Sequence, residues 1–229
     1  QSKGQANGRE TVWDNTLITA SESLTVKSGR DTILKGAQLA GNAVLFDVGG
    51  KLLIETLQDM STYRNRQTSS GFSLSVCWFY CAGVPVIGSI GTSSQSIKHD
   101  YRSAVGQSGI AAGTGGFDIQ VKGATDLVGA AITSTARADQ NRLSTQQLTS
   151  RDLDNLQKTS SSSSSLSLAY GGTSVLSTLA ANATSNLMGN LNGNAALPKH
   201  QNEASQTKSV ISPATISITG TGDAETDQQ

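Results

Sequence analysis

The sequence predicts an all-β chain: a right-handed parallel β-helix of about twenty residues per coil, with a β-hairpin insertion and one amphipathic helix. Three observations carry that expectation. The pattern of residues 24–34 returns about twenty positions later, in residues 44–54. Apolar residues within each run alternate with a period of two, and glycines punctuate the runs while aromatics and prolines stay scarce.

Self-similarity at a short fixed period marks a stacked-repeat architecture, in which each unit buries its apolar face only against its neighbours. Leu24 aligns with Val44, Val26 with Phe46, Gly29 with Gly49, Ile33 with Leu53 and Leu34 with Ile54. A looser copy runs through "FDIQVKGATDLVGAAITSTA", residues 117–136, where "DLVGAAI" echoes "TILKGAQL". Helical repeats need longer units and apolar spacings of three and four. The pairs here, such as Leu24 with Val26, Ala37 with Leu39, Ile119 with Val121 and Ala130 with Ile132, are two apart. That spacing gives a short strand one inward face. Glycines between the runs allow corners that a Cβ would strain. Coils of this kind stack at roughly 4.8 Å through backbone hydrogen bonds. A β-sandwich with turn signals at the same spacing is the alternative.

Composition agrees with a thin, layered fold. The 229 residues suffice for one long domain or two small ones. Hydrophobic residues make up 36%, too many for disorder throughout, and aromatics only 4%, too few for a thick core.

Residues 1–160 are expected to hold the β-helix repeats, with the hairpin inserted near residues 66–100. Its core is "FSLSVCWFYCAGVPVIGSI", residues 72–90, an uncharged run close to membrane-spanning length. Phe72, Leu74, Val76, Trp78 and Tyr80 alternate with Ser73, Ser75, Cys77, Phe79 and Cys81 at strand period, and Pro85 between Gly83 and Gly88 breaks the run. Both features argue against a transmembrane helix. Residues 161–229 are expected to complete the same domain. "TSSSSSSLS", residues 159–167, is low in complexity and reads as an exposed linker. It leads into the alternating strand "SSLSLAYGG", residues 164–172, which could pair with the hairpin in one side sheet. Over residues 173–191 the period changes: Val175, Leu179, Ala183, Leu187 and Leu191 recur at four. Thr173 or Ser174 as N-cap and Gly193 beyond the end complete the signature of one amphipathic helix, placed to cover an end or flank of the stack. "SVISPATISITG" is a last β segment that rejoins the stack, and "TGDAETDQQ" a frayed tail.

Chemistry is sparse. Formal net charge is zero, so no long-range field draws in nucleic acid or anionic lipid. His99 and His200 are the only histidines, and neither sits in a metal-binding array. No G-x-S-x-G elbow is present, and "GQSGIAAGTGGFD" lacks the Lys and Ser/Thr of a phosphate loop. "GTGGFDI" is a single imperfect copy of a calcium nonapeptide that works only in tandem. Asp31, Asp47, Asp118 and Asp126 are scattered and suit local backbone bonding, while Lys27, Arg30, Lys35 and Lys51 suit a solvated edge. No catalytic residue, metal site or cofactor is expected. Cys77 and Cys81, in "VCWFYCAG", cannot form a tetrahedral zinc site alone. They close a small disulfide loop in an oxidising compartment, or are two apolar side chains of a buried strand. Gln1 opens the chain without a signal segment, as in a fragment of something longer.

"SESLTVKSGRDTILKGAQLAGNAVLFDVGGKLLIETLQD" and "QSGIAAGTGGFDIQVKGATDLVGAAITSTARADQNRL", with "LTSRDLDN" after it, resemble the haemagglutinin repeats of filamentous-haemagglutinin-type exoproteins of Gram-negative bacteria. The second stretch is most similar to the second repeat region of contact-dependent growth-inhibition proteins. The resemblance covers roughly residues 10–160. It implies a large filament secreted by a two-partner system, exported through an outer-membrane transporter that recognises a secretion domain absent from this stretch. The implied location is the bacterial cell surface, and the implied partner a target cell's outer membrane or surface receptor, not nucleic acid; the fragment itself is expected to be monomeric. In growth-inhibition proteins this region helps pass a C-terminal toxin into the target. In adhesins of the same family such repeats serve as shaft and contact surface, and a polysaccharide-acting β-helix enzyme is a third reading. Trp78, Phe79 and Tyr80 on the hairpin would contact lipid or a partner, or else cover the solenoid flank.

Overall fold

A computed structural model describes residues 1–76, 86–170 and 200–220. Among these the chain is nearly all strand, and its one helical element is the 3₁₀ turn Ala138–Gln140. The amphipathic helix expected over residues 173–191 lies outside the described residues. Contacts divide the chain into two units, one of Gln1–Glu10, Ser61–Tyr101 and Gln157–Glu203, the other of Thr11–Met60, Arg102–Leu156 and Ala204–Gln229.

The second unit is made of successive passes of chain laid in parallel register. Three rows of strands result. One row pairs Thr16–Thr19 with the start of Ala37–Val48, then with Gly109–Val121, Ala131–Ser134 and Val210–Ile211. The next pairs Ser23–Ser28 with the end of Ala37–Val48, the end of Gly109–Val121, Arg142–Thr145 and Thr215–Ile218. The last pairs Thr32–Lys35, Leu52–Glu55, Ala124–Val128 and Gln147–Arg151. The sequence overlay is realised residue for residue: Leu24 lies beside Val44, Val26 beside Phe46, Ile33 beside Leu53 and Leu34 beside Ile54. The later segment "SVISPATISITG" does rejoin the stack, pairing with Ala131–Ile132 and Arg142–Thr145.

Alternation decides what is buried. Ile18, Leu39, Ile110, Ile132 and Ile211 form one column across five passes, and Val26, Phe46, Ile119, Leu143 and Ile216 another. The middle members are sealed, with Ile119, Ile132 and Leu143 at 0% exposure, while the end members Ile18 and Ile216 are partly open. Outward neighbours such as Ile33 and Leu45 stay exposed. Each fully buried aliphatic side chain is worth about 1.5–3 kcal/mol, so the columns supply the main cohesion of this unit. Two corners from the third row to the first need a left-handed residue, and both are glycine: Gly36 at φ 58° and Gly129 at φ 56°.

Two long excursions interrupt the passes, and both leave and return at that same corner. The first leaves after Thr56 and returns at Ser108, which donates its backbone N–H to Thr56 Oγ1 at 2.8 Å. Thr56 in turn donates to the Gly129 carbonyl at 2.6 Å, and Ser108 Oγ accepts from the Ala37 N–H at 3.2 Å. The second returns at Ser209, whose N–H meets Asp152 Oδ1 at 2.8 Å and whose Oγ accepts from the Ala130 N–H at 3.3 Å. Buried Thr56 and Ser108 and half-buried Ser209 thus satisfy backbone groups through their hydroxyls where the ladder is interrupted. Asn155, buried, gathers the stems of the excursions. Its Oδ1 accepts from Ala104 N and Gln58 Nε2, and its Nδ2 donates to Thr207 Oγ1.

The first unit is built on a five-stranded sheet in the order Ser2–Thr11, Asp59–Val76, Val86–Ser103, Leu153–Tyr170, His200–Thr207. Cross-strand partners run in opposite directions: Ser69 bonds Ser93 while Ser73 bonds Ser89, and the Gln1 and Ser70 main chains bond each other. The serine run expected to be a linker is instead strand, part of Leu153–Tyr170. Ser161, Ser163 and Ser165 are half-buried and Ser162 and Ser164 exposed, so small polar side chains alternate as apolar ones would, and ladder hydrogen bonds hold them. Residues 164–170 of the alternating run and residues 66–76 of the hairpin share this sheet, but Val86–Ser103 lies between them.

Candidate functional site

The outer face of the third row carries a shallow groove lined by Asp31, Thr32, Ile33, Lys51, Leu53, Asp126 and Thr149. Both of its carboxylates are engaged locally. Asp31 Oδ1 accepts from the Lys51 N–H at 2.8 Å, and Asp126 Oδ1 accepts from Thr149 Oγ1 at 2.9 Å. Asp47 and Asp118 lie in the second row, beside Lys27 and Arg142 in register. Asp118 Oδ1 is buried without a hydrogen-bond partner among the described residues. The four aspartates therefore do not converge as an acid–base pair. Lys35 meets Glu55 at 2.7 Å on the same row as the groove, a half-exposed pair of small energetic weight. Among the described residues no three His, Cys, Asp or Glu side chains come together to hold a metal ion.

His99 belongs to the sheet of the first unit. Its Nδ1 is 2.9 Å from Thr159 Oγ1, and its ring stacks on Tyr101 with centroids 6.5 Å apart. The backbone of His200 starts the last strand of the same sheet. On this sheet Gln5, Asn7, Arg64, Arg66, Ser96 and Lys98 surround a shallow hollow. These cations were not singled out by sequence reasoning, although "TYRNRQT" and "SIKHDYR" carry them at the alternate positions that place residues on one strand face.

The residues that were singled out, Cys77 and Cys81 as a disulfide and Trp78, Phe79 and Tyr80 as a contact, lie outside the described residues. No helix among the described residues is long and apolar enough to cross a membrane.

Against known proteins, residues 1–71 match the haemagglutinin repeat family. A tRNA nuclease CdiA of Escherichia coli strain NC101 is 41% identical over 171 residues, 75% of this chain. A toxin CdiA of Escherichia coli is 38% identical over 193 residues, 84% of the chain, and a deoxyribonuclease CdiA of Dickeya dadantii strain 3937 is 36% identical over 167 residues, 73% of it. The chain spans only 5–6% of the length of these relatives. No solved structure matches it.

Proposed function

We propose, from the match of residues 1–71 to the haemagglutinin repeat family and the likeness of most of the chain to CdiA proteins, that this chain is a non-enzymatic module that helps deliver a C-terminal toxin across a target cell's outer membrane in contact-dependent growth inhibition. The observation that carries this reading is which relatives share the segment. A protein named a tRNA nuclease and one named a deoxyribonuclease both align across most of it. A stretch common to proteins of different nuclease activity serves what they have in common, which is getting the toxin to its target.

On this reading the three parallel rows are coils of a right-handed parallel β-helix, a short length of a secreted filament displayed on the cell surface. The parent chain, not this segment, engages the outer-membrane transporter of a two-partner system. Coils of this kind fold locally, each on the last, which suits a chain that emerges unfolded from a pore. The excursions that break the coil pattern form the part that meets the target.

Excision of this segment from the parent exoprotein tests the proposal. Surface display and attachment to target cells should survive while growth inhibition is lost. If attachment is lost instead, the segment is an adhesin shaft. If inhibition persists, the delivery role is wrong.

A further inference from the structure

Zero net charge conceals a strong segregation of charge on the five-stranded sheet. Strand geometry sends alternate residues to opposite faces, so each side chain can be assigned. A Cβ at Gly8 would lie 3.5 Å from the Tyr63 ring, and one at Gly4 4.0 Å from Gln67, which puts even positions of the first strand with odd positions of the second. Ser69 with Ser93 and His99 with Thr159 extend the same face over the next two strands. The opposite face then carries Lys3, Arg9, Arg64, Arg66, Lys98 and Lys158, with Asp100 as its one carboxylate among the described residues of this unit. At the centre of this face Gln5, Asn7, Arg64, Arg66, Ser96 and Lys98 line one hollow, together with Asn65 and Ile97. The acidic residues Glu10 and Glu203 fall on the other face, Glu203 by its alternation with Ser205, which Asn155 bonds.

We infer that this cationic face is a docking surface for a planar array of lipid phosphate headgroups. Its cations are spread over four neighbouring strands and not threaded along one cleft, and all six are exposed. Strands about 4.8 Å apart and alternate residues about 6.7 Å apart give a two-dimensional grid of positive charge, the complement of a charged sheet and not of a single linear chain. Between the cations stand Gln5, Asn7, Thr68, Ser94 and Ser96, uncharged donors that can hydrogen-bond phosphate oxygens without holding the surfaces apart. The choice of a membrane as partner rests on the delivery reading; the cationic face itself does not.

Co-sedimentation of the full 229-residue chain with vesicles tests the inference. Phosphatidylglycerol-containing vesicles should bind it, pure phosphatidylcholine vesicles should not, and salt well above physiological should release it. Each cation near such a surface contributes roughly fivefold in affinity, so Arg64→Gln/Arg66→Gln/Lys98→Gln should weaken binding on the order of a hundredfold. Its melting curve should stay at wild type, because the replaced side chains are exposed. The control Lys27→Gln/Arg30→Gln/Lys51→Gln, which removes as many cations from the other unit, should bind like wild type. Equal losses in the two variants, no loss in either, or binding to soluble heparin but not to vesicles would each overturn the proposal. A purified chain that binds vesicles in this way while its excision leaves growth inhibition intact would fail the delivery reading and not the docking surface. An excision that abolishes inhibition beside a chain that ignores vesicles would do the reverse.

Discussion

Val44 and Leu45 are chain neighbours with opposite fates, and the contrast tests the alternation directly. Val44 is fully buried between Leu24 and Phe117, while Leu45 is 43% exposed. Val44→Asp would put an unpaired charge into a closed column and should cost about 4 kcal/mol or more, enough to abolish cooperative unfolding. Leu45→Asp should change stability by less than about 1 kcal/mol. Thermal melts of the pair decide it, and equal effects would mean the faces are misassigned. Gly49 and Gly29, stacked one above the other, give a second contrast. A Cβ on Gly49 would lie 2.6 Å from the Gly29 carbonyl oxygen, whereas one on Gly29 meets nothing within 4 Å. Gly49→Ala should therefore lower the melting temperature and Gly29→Ala should not. The inward place of Val44 and the stacking of Gly29 on Gly49 were legible in the sequence, because stacked passes force like residues to recur at one period; the unequal room at the two glycines was not. Asn155 was not legible. Its partners Gln58, Ala104 and Thr207 lie 51 to 97 positions away and follow no repeat. Asn155→Ala strands a backbone N–H and a side-chain amide, and should cost about 1–3 kcal/mol in a denaturant titration.

At the scale of elements, the serine run shows why composition misleads. Six consecutive serines, Ser160–Ser165, lack the apolar alternation by which strands are recognised, and low complexity usually means a solvated linker. Ladder hydrogen bonds need only backbone, and neighbouring strands on the sheet supply them. Amide exchange at residues 160–165 should accordingly be protected; exchange at free-peptide rates would restore the linker. The excursions were visible as breaks in the repeat, but their common point of departure was not, since only three dimensions bring Thr56 to Ser108 and Asp152 to Ser209. That proximity predicts that short Gly/Ser linkers can replace residues 59–103 and 153–207 and leave a stack with β circular dichroism and a cooperative melt. A chain that fails to fold after both replacements would show that the passes depend on the excursions.

For the whole molecule, sequence arithmetic gave a neutral chain with nothing to attract a charged partner, and that sum was blind to placement. Six cations share one sheet face with a single carboxylate, Asp100; acidic residues elsewhere in the chain offset them in the total and not in space. The repeat period made the stack and the kinship with surface exoproteins readable early, because both rest on local pattern. The cationic face needed strand pairing between segments far apart in the chain. On the proposed delivery reading, the repetitive stack is the scaffold and the inserted sheet the part that meets the target. Growth inhibition by the parent exoprotein with both excursions replaced by short linkers measures this most directly. Such a parent should still be displayed and attach to target cells while its inhibition is lost; inhibition at the wild-type level would contradict it.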